Sequence, residues 1–148
     1  MARVISVVNQ KGGVGKTTTM VSVASILTEQ HKLKVLAIDL DPQGNASSGL
    51  GLEKNSYRKC VYNVLINDCE LEDVIYSSPL SSLDIVPATI QLAGAEIELV
   101  GELSRENKLK RALNKSFQNY DVIIIDCPPS LGLLTVNALA ASTDLLIP

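Results

Sequence analysis

Continuous apolar runs alternate along this chain with longer segments in which apolar positions recur at helical spacing. Uninterrupted runs are typical of parallel strands that helices cover on both faces of a sheet. They predict five strands, near residues 3–8, 34–39, 83–86, 121–125 and 143–147. The intervening patterns predict helices near residues 16–30, 59–67, 70–76, 89–99, 104–118 and 131–141. This alternation predicts an α/β fold with a doubly wound, mostly parallel sheet.

A glycine-rich segment separates the first predicted strand from the first predicted helix. Residues 9–18 read Asn-Gln-Lys-Gly-Gly-Val-Gly-Lys-Thr-Thr. Glycines let the N–H groups of such a loop turn inward on an anion, and the N-terminus of the next helix adds a positive dipole end. In a phosphate-binding loop, Lys16 can reach the β- and γ-phosphates and the Thr17 hydroxyl can ligate Mg²⁺. The order of strand, loop and helix favours this interpretation over an ordinary strand-to-helix turn.

Two further predicted strands end in aspartate. Asp39 and Asp41 come at the end of the second strand, where alternation places both side chains on one side. Asp126 closes the apolar run at 122–125 and fits a Walker B aspartate, which would hold Mg²⁺. Ligand sites of open α/β sheets lie at these strand ends. The alternative for Asp39 and Asp41 is a capping or turn role before Pro42.

These motifs together resemble the ParA/MinD superfamily of P-loop ATPases. Residues 11–17 match its deviant Walker A motif, K-G-G-x-G-K-[ST], and Gln10 stands where an ordinary P-loop has its first glycine. The string Asp-Leu-Asp-Pro-Gln-Gly-Asn at residues 39–45 resembles the ParA/Soj branch. The resemblance implies nucleotide contacts at Lys11, Gly12, Gly13, Val14, Gly15, Lys16, Thr17 and Thr18.

The resemblance also implies an activity, the hydrolysis of ATP to ADP and phosphate, with ATP/ADP and Mg²⁺ as cofactors. Its catalytic residues would be Lys11, Lys16 and Asp41. Asp41 would orient the attacking water, and Lys11 would reach across a homodimer interface to the partner's ATP. The implied metal residues are Thr17, Asp39 and Asp126. The alternative for Lys11 is that it only solvates the loop.

The implied role is chromosome or plasmid partitioning. An ATP-bound homodimer would bind DNA without sequence specificity, through residues that we expect beyond this chain, and a ParB/Spo0J-type protein would stimulate hydrolysis. One alternative is a MinD-like, membrane-cycling ATPase for division-site placement, which needs a C-terminal amphipathic helix. The other is a metabolic or metallocluster ATPase of the same superfamily.

Composition narrows these alternatives. A net charge of −3 gives no global basic field for nucleic acid or anionic lipid. The three cysteines, Cys60, Cys69 and Cys127, lack C-x-x-C spacing, which argues against a metal cluster or disulfides. No apolar run approaches the ~20 residues of a membrane span, and we expect no membrane partner. A cleavable signal peptide would remove the phosphate loop, so we expect a cytoplasmic protein. The resemblance implies that it is associated with the nucleoid. Because ParA-like ATPases are longer, we expect residues 1–148 to be one P-loop ATPase domain that is truncated at its C-terminus.

Overall fold

The computed structural model describes residues 2–9, 11, 15–54, 56–80, 82–115 and 117–148. The strands in this described part are β1 (Arg3–Val7), β2 (Val35–Asp39), β3 (Tyr76–Ser77), β4 (Asp84–Val86), β5 (Val122–Asp126) and β6 (Asp144–Leu146). They form one sheet in the order β3-β4-β2-β5-β1-β6. Neighbouring strands run parallel except β3 and β4, which are antiparallel. The predicted α/β fold with a mostly parallel sheet is therefore confirmed.

All five predicted strands are present, but the helix predicted near 70–76 is wrong in its second half. A 3₁₀-helix covers Leu71–Val74, and the chain then enters β3. Tyr76 pairs with Ile85 of β4, so pairing across the sheet decides the conformation here. A two-residue strand is too short to show an alternating pattern of its own.

The α-helices in the described part are α1 (Lys16–Glu29), α2 (Asn45–Gly49), α3 (Val61–Ile66), α4 (Ala95–Glu98), α5 (Lys108–Asn114) and α6 (Leu133–Ala141). Besides the one before β3, the 3₁₀-helices are Ile90–Gly94, Leu99–Gly101, Arg105–Asn107 and Phe117–Asn119. The helices predicted near 89–99 and 104–118 are thus each divided into shorter turns. None of the described helices has the length and apolar character needed to cross a bilayer.

Two apolar clusters fill the space on opposite faces of the sheet. On β2, Leu36 and Ile38 belong to one cluster, together with side chains of α3, α5 and α6. Val35 and Ala37 belong to the other, together with Met20 and further side chains of α1. This alternation along a fully buried strand is what a doubly wound sheet requires, because each face must be covered by helices.

The register of the three central strands aligns their carboxyl ends. Val7 of β1 lies opposite Asp126 of β5, and Asp126 lies opposite Asp39 of β2. The loops that leave these three strands therefore meet at one edge of the sheet, which is where open α/β sheets bind their ligands.

Candidate nucleotide and metal site

The N-terminus of α1 lies just beyond the carboxyl end of β1, after the glycine-rich loop. Gly15 has a φ of 82°, a left-handed conformation that favours glycine, and its carbonyl accepts the Thr19 N–H at 2.8 Å. Among the described residues no side chain caps α1, and its first turn contains no acidic residue. The exposed dipole end of α1 therefore favours an anionic ligand.

The middle of the predicted phosphate loop, Gly12, Gly13 and Val14, lies outside the described residues. Lys11, at the start of the loop, is exposed, and its backbone N–H donates to Asn9 Oδ1 at 2.9 Å. A lysine must be exposed if its side chain is to reach another subunit, and Lys11 meets that condition. Its action across an interface stays a prediction.

The first turn of α1 brings its predicted residues to the strand ends. Lys16 is buried, with 9% of its surface exposed. The Thr17 hydroxyl donates to Asp126 Oδ2 at 2.8 Å, which joins the phosphate loop directly to β5. Thr18 is exposed on the next position of the helix. Lys16, Thr17 and Asp126 therefore lie together, as their motifs predict.

Asp126 is fully buried, and its two carboxylate oxygens differ in their hydrogen bonds. Thr17 donates to Oδ2, whereas Oδ1 has no hydrogen-bond partner among the described residues. Burial raises the pKa of Asp126 to about 6, and the charge of Asp41 raises it further against the opposing effects of Thr17 and Lys16. A buried carboxylate oxygen without a partner is uncommon in folded proteins and indicates a ligand.

Asp39 is also fully buried, but both of its oxygens are engaged. Oδ1 accepts the Asp41 N–H at 3.0 Å. Oδ2 accepts the Ser47 N–H at 2.9 Å and the Ser47 hydroxyl at 2.8 Å. Burial raises the pKa of Asp39 to about 7, to which the neighbouring charge of Asp126 contributes. Asp39 thus holds the loop after β2 in place, besides lying next to Asp126.

Asp41 lies in that loop and is half-buried. Its Oδ1 accepts the Gln43 N–H at 3.0 Å and its carbonyl accepts the Gly44 N–H at 2.9 Å, which closes a turn. Gly44 has a φ of 67°, and a Cβ there would lie 3.2 Å from the Ala88 carbonyl oxygen. The turn presents the Asp41 carboxylate near enough to Asp126 for its charge to affect that group.

Ser47 belongs to this site, although the sequence does not reveal it. Its hydroxyl accepts the Ala88 N–H at 3.2 Å while donating to Asp39, so it joins β2 to the segment after β4. Only burial distinguishes Ser47 from the exposed Ser48 beside it. Nothing in the residue pattern supplies that distinction, because α2 has no apolar periodicity.

The residues present fit Mg²⁺. Two buried carboxylates, one with an unpartnered oxygen, and a threonine hydroxyl are the hard oxygen donors that this ion prefers. The described residues contain no group of three or more His, Cys, Asp or Glu side chains that could hold a metal without help from phosphate and water. Such a sparse protein donor set is usual for Mg²⁺ bound together with a nucleotide.

In the described part of the chain, no group of three or more metal-binding side chains includes a cysteine. Cys60, Cys69 and Cys127 are free thiols, and Cys127 is fully buried next to Asp126. Burial raises the pKa of the Cys127 thiol to about 12, so it stays protonated and acts as a small apolar residue. That the cysteines bind no metal stays a prediction.

A parallel sheet with a glycine-rich loop, a buried lysine and two aspartates at its carboxyl edge defines a P-loop nucleotide-binding protein. The comparison with known families agrees, because the AAA_31 model, described as an AAA domain, matches residues 2–148. The chain therefore belongs to the AAA_31 (AAA domain) family, and its ParA/Soj-like character is confirmed by its relatives.

The most similar relatives include a Soj protein and a ParA protein. The chain is 58% identical to the sporulation initiation inhibitor protein Soj of Bacillus subtilis, over all of this chain and 58% of that protein. It is 49% identical to the chromosome partitioning protein ParA of Myxococcus xanthus, over all of this chain and 52% of that protein. The chain thus spans little more than half the length of these relatives. They do not favour the MinD-like alternative.

Solved structures share the fold closely. A structure described as cobyrinic acid a,c-diamide synthase from Mycobacterium smegmatis, with bound ATP analog and magnesium, superposes with a TM-score of 0.95 at 46% identity. The match covers all of this chain and 60% of that one. Its bound nucleotide and magnesium agree with the ligands that the motifs predict.

Proposed function

We propose that this chain is the nucleotide-binding part of an Mg²⁺-dependent ATPase of the partition type, which hydrolyses ATP to ADP and phosphate. One observation carries the proposal. The first turn of α1 meets the end of β5 through the Thr17–Asp126 hydrogen bond, beside an Asp126 oxygen that has no partner in the described structure. The similarity to Soj and ParA supports the same activity.

Each side chain has a distinct part in this reaction. Lys16 would neutralise the β- and γ-phosphates, and its burial strengthens that interaction because little water screens it. Thr17, Asp126 and Asp39 would hold Mg²⁺, which when bound neutralises charge on the phosphate oxygens. Asp41 would orient the attacking water from the turn after β2. Catalysis of this kind depends mainly on positioning and electrostatics.

We also propose that the protein forms a homodimer when it binds ATP. Lys11 would offset the negative charge that the γ-phosphates of two ATP molecules bring to a dimer interface, so hydrolysis would depend on dimerisation. The resulting dimer would bind DNA without sequence specificity, through residues outside this chain, and respond to a ParB/Spo0J-type partner in the cytoplasm. The exposure of Lys11 supports this role.

Binding of Mg²⁺-ATP to the full-length protein tests the site. Lys16→Ala removes a charge-assisted contact and should lower ATP affinity by about one to two decades in calorimetry. The matched control is Lys110→Ala, which removes an exposed lysine from α5. Equal ATP affinity in Lys16→Ala and wild type would refute the phosphate-loop assignment.

Sedimentation tests the dimer. In an Asp41→Ala background that blocks hydrolysis, the full-length protein should form a dimer with ATP. Adding Lys11→Ala should abolish that dimer while leaving ATP binding by the monomer near normal. If both backgrounds give the same amount of ATP-induced dimer, Lys11 does not act across the interface.

A further inference from the structure

Helix α6 is capped by a side chain from a distant segment. Glu96 of α4 accepts the Leu133 N–H at 2.6 Å through Oε2 and the Leu134 N–H at 3.1 Å through Oε1. These are the first two residues of α6, and the N-cap residue, Gly132, offers no side chain of its own. A carboxylate at this position satisfies two otherwise unpaired donors and interacts favourably with the helix dipole.

The absence of a side chain at Gly132 leaves room for the Glu96 carboxylate. Its φ of −78° and ψ of −171° are extended values that any residue adopts, so the backbone does not require glycine. A Cβ at this position, however, would overlap the carboxyl group of Glu96, at 2.6 Å from Cδ. Glycine therefore allows Glu96 to approach closely, and a larger residue would displace it.

The capped terminus is where the loop from Asp126 ends. Residues 127–132 connect β5 to α6, and the Thr135 hydroxyl donates to the Ser130 carbonyl at 2.6 Å, which ties the loop to the first turns of the helix. Holding both ends of so short a connection reduces the number of conformations open to it. Glu96 fixes one end, and Asp126 stands at the other.

The segment that carries Glu96 also reaches the opposite side of the site. At its beginning, the Ala88 N–H donates to Ser47 Oγ at 3.2 Å, and Ser47 donates to Asp39. Residues 88–96, which we call the clasp segment, thus contact the Asp39 side at one end and the α6 side at the other. Both candidate metal carboxylates are connected to it by short chains of hydrogen bonds and backbone.

We propose that Glu96 is a positioning residue for the nucleotide site, acting through the N-terminus of α6 on the loop that follows Asp126. The inference rests on the proposed function, because the loop that Glu96 positions begins directly after Asp126, which would hold Mg²⁺ in that function. Glu96 touches neither nucleotide nor metal in this proposal. It sets the distance between the two sides of the site through the clasp segment.

The test uses two variants of the full-length protein that break the same contact from opposite sides. Glu96→Gln leaves an amide where two N–H donors need acceptors, and Gly132→Ala pushes the carboxylate away. Each should lower single-turnover ATP hydrolysis by about ten- to a hundredfold, as small misplacements do, with Mg²⁺-ATP affinity changed less than about twofold. The double variant should lose no more than the stronger single one, because both remove one interaction.

Glu98→Gln is the matched control. Glu98 lies two residues further along α4, and its carboxylate accepts the Tyr62 hydroxyl at 2.9 Å; the hydrogen bonds found among the described residues do not join it to α6. This variant should hydrolyse ATP like wild type. If Gly132→Ala does not fold, Glu96→Asp serves as the second single variant, because the shorter side chain draws the carboxylate back from α6; it should lower hydrolysis in the same way, and the test then rests on the single variants.

Three outcomes would overturn the inference. Hydrolysis at the wild-type rate in Glu96→Gln, while hydrogen exchange at the Leu133 and Leu134 amides is faster, would show a cap without a positioning role. If Glu96→Gln lost ATP affinity and thermal stability in parallel with hydrolysis, Glu96 would likewise be a helix cap without a positioning role. Additive losses in the double variant would show two separate effects. If the wild type itself has no hydrolysis that depends on Lys16, the proposed function fails instead, which keeps the two failures distinct.

Discussion

Two neighbouring carboxylates at the carboxyl edge of the sheet, Asp39 and Asp126, differ in how many hydrogen bonds they accept. At the end of β2, Asp39 receives three hydrogen bonds, from the Asp41 N–H and from the N–H and hydroxyl of Ser47. At the end of β5, Asp126 receives one, from Thr17, and its other oxygen has no partner among the described residues. Both side chains are fully buried.

The difference separates two tasks within one site. A carboxylate whose oxygens are engaged by its own loop fixes the shape of that loop, and here it fixes the turn that presents Asp41. A carboxylate with an open oxygen is prepared for a ligand from outside the protein. We therefore expect Asp126 to be the stronger metal ligand and Asp39 to be more important for the geometry of the Asp41 turn.

The largest expected effect concerns metal affinity. Asp126→Asn should weaken Mg²⁺-dependent ATP binding by about a hundredfold, the upper range for disrupted metal sites. The substitution removes the negative charge of the carboxylate whose Oδ1 has no hydrogen-bond partner among the described residues. Asp39→Asn should weaken the same binding by less than about tenfold. Titration calorimetry with Mg²⁺ and with EDTA separates the metal-dependent part. Equal losses in the two variants would abolish the distinction between the two carboxylates.

The pH dependence of the Mg²⁺-free protein gives the next largest effect. Burial raises the pKa of Asp126 in the folded protein to about 6, above the ordinary value of 3.8 for an aspartate. Folding therefore favours the protonated form, and stability falls as pH rises from about 4 to 6. Asp126→Asn removes this pH-dependent loss and should stabilise the protein by about 1–3 kcal/mol at pH 8 but not near pH 3.5. Urea unfolding at the two pH values measures it. Destabilisation at pH 8 would contradict the assigned burial.

A smaller effect is expected at the engaged carboxylate. Ser47→Ala removes a donor to Asp39 and leaves the buried Ala88 N–H without its acceptor, which should destabilise the protein by about 1–2 kcal/mol. Ser48→Ala, at the exposed neighbouring position, is the control and should be close to neutral. Similar unfolding midpoints for the two variants in urea would show that the Asp39 network contributes little.

The smallest effect on stability is expected at Asp41. Its side chain accepts only the Gln43 N–H of its own turn in the described structure, so Asp41→Asn should change the free energy of unfolding by less than about 0.5 kcal/mol. ATP hydrolysis by the full-length variant should nevertheless be lost, because the water would no longer be oriented. Phosphate release at the wild-type rate would exclude this role.

The sequence predicts most of this sheet because its central strands are apolar on both faces, as in the run at 122–125. It does not predict β3, whose two residues are strand only because they pair with β4. It also misses α2, a short helix without apolar periodicity. These elements depend on contacts that form only in the folded chain.

The candidate site likewise contains residues that the sequence predicts and residues that it does not. Lys16, Thr17 and Asp126 are predicted because phosphate and Mg²⁺ chemistry requires those residue types beside a glycine loop and a strand end. The supporting roles of Ser47 and Glu96 leave no trace in the pattern, since each acts on a partner far away in sequence. Whether the second carboxylate oxygen of Asp39 is free or engaged is likewise decided by Ser47, which the motif does not include.

The strand order sets the time at which this site comes into existence during synthesis. β5 is inserted between β1 and β2, so these two earlier strands do not pair with each other. Until residue 126 has left the ribosome, Thr17 has no carboxylate to bond, and Asp39 has no neighbour across the sheet. Such non-local pairing is slow relative to local helix formation. The phosphate loop is therefore synthesised about a hundred residues before the nascent chain has a place to hold a metal.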